Sequence, residues 1–464
     1  MRSVVKKLGF LRLNALVDFK LLFINRGSTM KEQRSNLKKY IIPSMISNAA
    51  FFLLTIVDGI FVGNGVGTDA LGAVNVAYPY VMVVGAIAAL FTIGGVAVAA
   101  VRLGRGDDEG ANQAFMHSAV ITLVVFSILT VVGLCFSDNI ARLLGANGTY
   151  LDMVSDYIFW YSVFLVPSGF YTCFAGFSRN DGRPKLSTVA ALVCTAANIF
   201  GDWLLVYPFK MGISGAAIAT GASQVFSVLI LMTHFLKKRG KLHFCKFKIQ
   251  VSLFKKIVIR GVPEMISQFA APITTTSMNR VLIGISDPHV NAFSVISYVG
   301  SLFASLMYGL SMGIQPLFGQ SYGAKDDKSL RYYLSSGLKL GAVGGIIAFI
   351  ITFLMGKPAC LLFGADESAA EIVINALPKY CLNFIFATAS ALIASYLFST
   401  KRTKYAVTLN VCRSIIFNFL CISFLPLVFG ENFVWYTVAV AEGICLVIAI
   451  VLWKVSERKG IIYK

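Results

Sequence analysis

Four side chains in this chain, Asp58, Asn198, Asp202 and Thr220, combine the oxygens that could hold a cation with positions inside apolar stretches. An ionisable group at membrane depth costs several kcal/mol unless it is paired or faces water, so an acid there is read as functional. Asn198 precedes Asp202 by four residues, which puts both on one face of a helix. Asp58 and Asp202 each lie near the far end of spans that run in the same direction, and Thr220 lies about a turn and a half below the start of the next span. At 1.5 Å per residue the three share one depth in the outer half of a membrane. No Lys or Arg of the first half falls at that depth. Two acids without a resident cation suit a proton, a Na⁺ or a cationic substrate, because a buried carboxylate needs neutralising. The plainer alternative is that each acid caps a loop or accepts from a backbone donor near the outer surface.

The second half differs. Glu264 is expected near the inner end of its span, with its carboxylate reaching the interface. Lys339, Arg413 and Glu442 are deeper, and Arg413 and Glu442 lie at comparable depth on adjacent antiparallel spans, which predicts a structural ion pair.

The elements that must position these groups are membrane helices. The chain has 464 residues, 57% hydrophobic and 14% charged, against about 25% charged in ordinary soluble domains. Apolar runs of roughly 20 residues recur along the whole length, each long enough to cross a hydrocarbon core. The reading is an all-α integral membrane protein of twelve spans: 40–62, 76–101, 114–136, 157–177, 186–206, 214–236, 257–283, 292–318, 332–355, 373–397, 405–429 and 433–453. A net charge of +19 sits in the short loops between spans, which argues for membrane orientation and against nucleic acid. With both termini placed in the cytoplasm, roughly 34 Lys and Arg fall in the tails and inner loops and roughly 5 in the outer loops. The expected location is the cell membrane, multi-pass, with both ends cytoplasmic. The nine Cys form no CxxC pair and are expected as buried thiols; the four His have no metal-ligand spacing, and no catalytic triad or phosphate loop stands in a workable context. Nothing argues for an enzyme, a metal centre or a cofactor.

Residues 1–39 form a basic N-terminal cytoplasmic extension without the features of a secretory signal. Met30 offers a second start, so residues 1–29 are expected to be dispensable. The first lobe covers 40–236, a basic linker 237–256, the second lobe 257–453 and a cytoplasmic tail 454–464. The halves repeat at an offset of about 219 residues: Gly94, Gly104, Asp107 and Asp108 fall on Gly313, Gly323, Asp326 and Asp327, Ala73 and Val76 on Ala292 and Val295, and Gly145-Ala146 on Gly364-Ala365. Asn198 falls on Asn418 with one residue of slippage. Six spans per half is even, so the pseudo-twofold axis runs along the membrane normal and a substrate passes between the lobes. Prolines inside spans (Pro43, Pro79, Pro167, Pro263, Pro272, Pro316) are expected to favour bends.

From position 40 to 453 the chain resembles the multidrug and toxic compound extrusion (MATE) transporters, in their bacterial multidrug-efflux branch. The motifs that carry the likeness are Val57-Asp-Gly-Ile-Phe-Val-Gly63 with Gly67-Thr-Asp-Ala-Leu71, Ser178-Arg-Asn-Asp-Gly-Arg-Pro-Lys185, Asn198-Ile-Phe-Gly-Asp202, and Gly212-Ile-Ser-Gly-Ala-Ala-Ile-Ala-Thr220 followed by Gln224. The resemblance implies a V-shaped pair of six-helix lobes that exports organic cations or other amphipathic, drug-like compounds in exchange for H⁺ or Na⁺, as a monomer in the lipid bilayer. It places the coupling site at Asp58, Asn198, Asp202 and Thr220, where Na⁺ would also bind; Gln224 and Glu264 are candidate secondary residues beside it. The acid that some relatives carry midway along span seven has no clear match, since Glu264 lies about two turns earlier. A lipid-linked oligosaccharide flippase of the same superfamily is the alternative. The absence of Lys and Arg at cavity depth in the first lobe disfavours it.

Overall fold

The computed structural model describes residues 2–363 and 367–458, with side chains from residue 30 onward apart from those of residues 68, 71, 149, 287, 362 and 363. Among these residues every regular element is a helix. The first half holds α1 (Arg2–Gly65), α2 (Thr68–Gly104), α3 (Asp108–Cys135), the short α4 (Ser137–Leu143), α5 (Thr149–Val163), α6 (Leu165–Asn180), α7 (Pro184–Val206) and α8 (Gly212–Leu236). The second holds α9 (Val251–Ser267), α10 (Ala270–Ile283), α11 (Asp287–Gly323), α12 (Asp327–Phe363), α13 (Glu367–Cys381), α14 (Asn383–Ser399), α15 (Thr403–Val411), a π-helical turn (Cys412–Phe417), α16 (Asn418–Phe429), a 3₁₀ turn (Glu431–Tyr436) and α17 (Thr437–Arg458).

Ten of the helical stretches are long and apolar enough to cross a membrane, and α5 with α6, bent by 54°, makes an eleventh. The seventh expected span is two short helices instead, α9 with 17 residues and α10 with 14. Proline explains both interruptions. Its ring clashes with the carbonyl four residues back and its missing N–H leaves that carbonyl free. Pro167 acts on Val163, the last residue of α5, and Pro272 on Gln268, beside the α9–α10 break. Pro43, Pro79 and Pro316 lie within continuous helices. At the first bend Gly221 of α8 fits against Phe164, where an added Cβ would meet the ring at 2.2 Å.

The repeat is visible in helix ends. Thr68 and Asp287, Gly104 and Gly323, Asp108 and Asp327, and Pro184 and Thr403 keep the same offset of about 219 residues as starts or ends of corresponding helices. Asp107 accepts from Gly110 N at 2.8 Å and Asp326 from Ser329 N at 3.0 Å, equivalent N-caps of α3 and α12. The π turn accounts for the slip at Asn418: a π-helical turn holds one more residue than an α turn, and it lies between Thr403, in register, and Asn418, one residue out. Gly364-Ala365 lies outside the described residues, as do residues 459–464 of the tail.

The lobes meet where helices approach through glycine. A Cβ on Gly104 would fall 2.0 Å from Gln320 O, and one on Gly323 would fall 2.1 Å from Val101 O. Gly94 lies against Ile257 and Gly261 of α9, while its counterpart Gly313 lies against Tyr40 and Ile41 of α1. Backbones this close exclude any side chain, the small-residue mode of membrane helix packing. Hydrogen bonds join the lobes in the same region, from Gln33 Nε2 to Ser329 Oγ (2.7 Å), Gln320 Nε2 to Asn180 O (2.8 Å) and Arg260 Nη1 to Ala97 O (3.0 Å). This is the end of the helices that carries the Lys- and Arg-rich turns, here called the basic end.

The inter-lobe linker is bound along its backbone. Asp181 accepts from Lys241 N and Leu242 N. Asn112 donates to Lys241 O and accepts from His243 N, and Gln113 donates to Lys246 O and accepts from Lys248 N. His117 Nε2 accepts from Gln250 N at 3.0 Å. Each side-chain amide thus stands in for a neighbouring strand, so the linker is a strap fixed to the first lobe.

Candidate cation site

Helix α7 carries two of the four site residues and is held between α1 and α8 by hydroxyls that bond to backbone carbonyls. Thr188 Oγ1 and Ser47 Oγ both donate to Pro43 O, at 2.8 and 2.9 Å, and Thr195 Oγ1 donates to Ala50 O at 3.1 Å. Ser227 Oγ donates to Ala190 O at 2.8 Å on the other side. Such bonds contribute about 1 kcal/mol each and fix rotation as well as separation. Gly201, whose added Cβ would lie 3.0 Å from Ala219 Cβ, lets α8 come close. Asn198 Nδ2 then reaches Thr220 Oγ1 at 3.3 Å.

The same packing turns Asp58 of α1 toward Asp202 of α7, with the two carboxyls within hydrogen-bonding reach of one another. Asn198 and Asp202 are fully buried. Asp58 Oδ1, both Asp202 oxygens and Asn198 Oδ1 are buried with no hydrogen-bond donor placed on them. An ionised carboxylate only accepts, so these oxygens face one another without a positive partner until a proton or a metal cation is supplied. An all-oxygen set of this kind suits a hard cation such as Na⁺ as well as a proton. Among the described residues no cluster of three or more His, Cys, Asp or Glu is present. A Na⁺ would therefore draw on amide and hydroxyl oxygens besides the two acids.

The structure brings all four predicted residues together. Gln224 is buried one turn beyond Thr220 on α8, its side chain 8% exposed. Tyr157, which sequence reasoning missed, lies buried on α5 within electrostatic reach of both acids. It stacks on Tyr161, with ring centroids 6.0 Å apart, and Tyr161 meets Tyr80 edge-on. No signal in the sequence marks it, since residues 157–161 read Tyr-Ile-Phe-Trp-Tyr with aromatic rings on every side of the helix.

Glu264 corrects the sequence reading. It does not reach the interface; it is 8% exposed and accepts from Tyr308 O–H at 2.6 Å. Helix α9 begins at Val251, six residues before the expected start of the span, and carries Glu264 on the face that meets Tyr308 of α11. Arg413 lies within electrostatic reach of it. Arg413 Nε itself bonds both oxygens of Glu442, at 2.9 and 2.8 Å, with side-chain exposures of 18% and 8%. Lys339 is on the exposed face of α12.

Two lobes of membrane helices related by an internal repeat, with a buried polar site in one of them, define a transporter architecture. The MatE family model matches the chain twice, over residues 43–204 and 263–422, and the chain belongs to that family. Among curated relatives, the multidrug export protein MepA of Staphylococcus aureus is 23% identical over 425 residues, covering 89% of this chain and 92% of that protein. MepA of Staphylococcus haemolyticus is 22% identical over 438 residues, covering 93% and 95%. Among solved structures, an outward-facing multidrug resistance MATE family transporter of the MOP superfamily superposes with a TM-score of 0.87 at 21% identity, covering 91% of this chain and 96% of that one. The Vibrio cholerae MATE transporter VcmN superposes with a TM-score of 0.88 at 19% identity, covering 94% and 99%. The fold is that of a MATE transporter.

Proposed function

We propose that this protein is a secondary multidrug efflux antiporter that exports organic cations or amphipathic drug-like compounds in exchange for H⁺ or Na⁺ by alternating access. The observation that carries the reading is the convergence of donor-free buried oxygens from Asp58, Asp202 and Asn198 on one point of the first lobe. The relatives' multidrug export supports the cargo class. Positive charge concentrated at one end supports an orientation with that end, and both termini, in the cytoplasm. The protein works as a monomer in the bilayer and needs no cofactor beyond the coupling ion. It moves its cargo without altering it, so it is not an enzyme.

In this scheme the lobes joined at the basic end close the cytoplasmic side. A proton or Na⁺ arriving from outside neutralises the facing acids, lets α1, α5 and α7 repack against one another and releases the drug. Loss of the ion to the cytoplasm restores the charge and readmits a cationic drug. Ion and drug must favour different states, since a ligand with equal affinity for both shifts nothing. The test is transport of a fluorescent cation by the purified protein in vesicles with pH and Na⁺ gradients imposed separately. Wild-type rates in both Asp58→Asn and Asp202→Asn under both gradients would remove this site from the mechanism.

A further inference from the structure

The linker strap ends on a histidine. His117 is buried on α3, one turn beyond Gln113, with its ring centroid 4.8 Å from that of Phe247. Its two ring nitrogens have different and fixed roles. Nε2 accepts from Gln250 N at 3.0 Å, and a main-chain N–H can only donate, so Nε2 carries a lone pair. Nδ1 lies 2.7 Å from Gln113 O, which can only accept, so Nδ1 carries the proton. The ring in this arrangement is therefore neutral and of one tautomer. A second proton would set N–H against N–H at a buried contact and abolish the bond to Gln250.

Gln250 is where the strap becomes α9. It is the N-cap of that helix: its carbonyl accepts from Leu253 N and Phe254 N, at 3.0 and 3.1 Å, while its own N–H goes to His117. The bond thus ties the first turn of the second lobe to the first lobe. Farther along, α9 meets the first lobe again, through Arg260 Nη1 on Ala97 O and through Gly261 against Leu90 O. The other acceptors along the strap behave differently. Asn112 and Gln113 accept through amide oxygens, which do not titrate. His234 Nε2 lies 2.8 Å from Asp181 and donates to it, so a second proton on that ring leaves the bond in place. Of the charged groups on the elements around His117, Asp108 and Glu109 of α3 pair with the linker's Lys241 and Lys248, at 3.2 and 3.3 Å. Lys246 of the linker and Lys255 and Lys256 of α9 are exposed, Arg102 of α2 lies 3.9 Å from Asp107, and Arg179 of α6 bonds Ser187 Oγ.

We propose that His117 is a proton-sensitive clasp for the start of α9: the neutral imidazole holds Gln250 to the first lobe, and the protonated one releases it. The docked strap accepts only the neutral ring and the released strap accepts either form, so docking weakens as pH falls through the range in which histidine titrates. With the basic end facing the cytoplasm, in the orientation proposed above, acid in the cytoplasm loosens a tie between the lobes at the end where they close. That orientation decides only which compartment is sensed. The chemistry of the clasp does not depend on the transported compound or on the ion that drives transport.

The test is residue-resolved hydrogen exchange of the full chain in nanodiscs, read as protection factors so that the intrinsic pH dependence of exchange is divided out. It needs no transport measurement, so its failure is distinct from failure of the efflux reading. Between pH 7.5 and 5.5 protection of the Gln250 N–H should fall about tenfold in the wild type, the change that an ordinary histidine pKa of about 6.5 dictates. The His243 N–H, held by Asn112 Oδ1, should keep its protection over the same range. His117→Gln offers an amide oxygen that takes no proton and should remove the pH dependence at Gln250, although His234 and His243 are still present. His117→Phe keeps a ring but no acceptor, and should leave the Gln250 N–H poorly protected at both pH values while the helices stay protected. Unchanged protection of Gln250 in the wild type, an equal fall at Gln250 and His243, or a fall that persists in His117→Gln would overturn the proposal.

Discussion

Asn198 and Asn418 occupy corresponding places in the two repeats and do opposite things. Asn198 Nδ2 reaches across to Thr220 Oγ1 of α8, whereas Asn418 Nδ2 turns back along its own helix to Arg413 O at 2.8 Å. The acceptor is five residues away, at the π turn, so the extra residue there redirects the amide inward. Arg413 in the same turn supplies the positive charge that Glu442 needs. One lobe therefore carries buried carboxylate oxygens with no hydrogen-bond donor placed on them, and the other carries a charge already matched.

Replacing one acid of the first lobe by its amide tests this directly. Asp202→Asn gives α7 a donor that Asp58 can accept without any added proton. The variant should stay folded, with a thermal midpoint at least equal to wild type, and should lose gradient-driven efflux. A midpoint well below wild type would show that the amide cannot take the carboxyl's place.

For the second lobe, Arg413→Met or Glu442→Leu alone should cost about 3 to 5 kcal/mol, because each leaves a buried charge without its partner. The double substitution should recover most of that loss. Additive losses in chemical or thermal unfolding would mean that the pair does not act as a unit.

The bend between α5 and α6 predicts a second coupled pair. Gly221→Ala drives a methyl into Phe164 and should destabilise by about 1 to 3 kcal/mol. Phe164→Ala in the same chain should remove the clash and restore much of the stability. No rescue would place the strain elsewhere on α8.

The linker strap can be followed by amide exchange. The N–H groups of Lys241, His243, Lys248 and Gln250 should exchange slowly, because Asp181, Asn112, Gln113 and His117 accept from them. Asn112→Ala with Gln113→Ala should speed exchange at His243 and Lys248 while leaving the helices protected. Uniformly fast exchange in the wild type would show a loose linker.

Lys401 gives a pH dependence with a defined sign. Its folded pKa, about 8, lies below the ordinary 10.5, so the unfolded chain binds more protons between these values and stability should rise with pH across that window. Lys401→Gln should flatten the rise, read as thermal midpoint against pH. An unchanged slope would assign it to other groups.

Much of this was legible in the residues. The depth argument gathered Asp58, Asn198, Asp202 and Thr220 because helical rise converts sequence position into height. The ion pair of Arg413 and Glu442 followed from the cost of burying either alone. Tyr157 was not legible as a site residue, since a tyrosine in an aromatic-rich span carries no sign of which way its helix turns. The setting of Glu264 was misjudged because height along a helix does not say which face a residue takes: it turns in toward Tyr308 rather than out to water. The slip at Asn418 was visible as a number, but the π turn behind it is a hydrogen-bond pattern that no residue type announces.

The crossing of Gly104 and Gly323 sits at one extreme of two long helices, which makes each a lever rather than a strut. From Gly104 to Thr68 helix α2 runs roughly 54 Å at 1.5 Å per residue, so each degree of tilt at the crossing moves the far end by about 1 Å. Two glycines in backbone contact leave no side chain to be repacked during such a tilt. Small angular changes at this crossing therefore translate into drug-sized displacements at the other end.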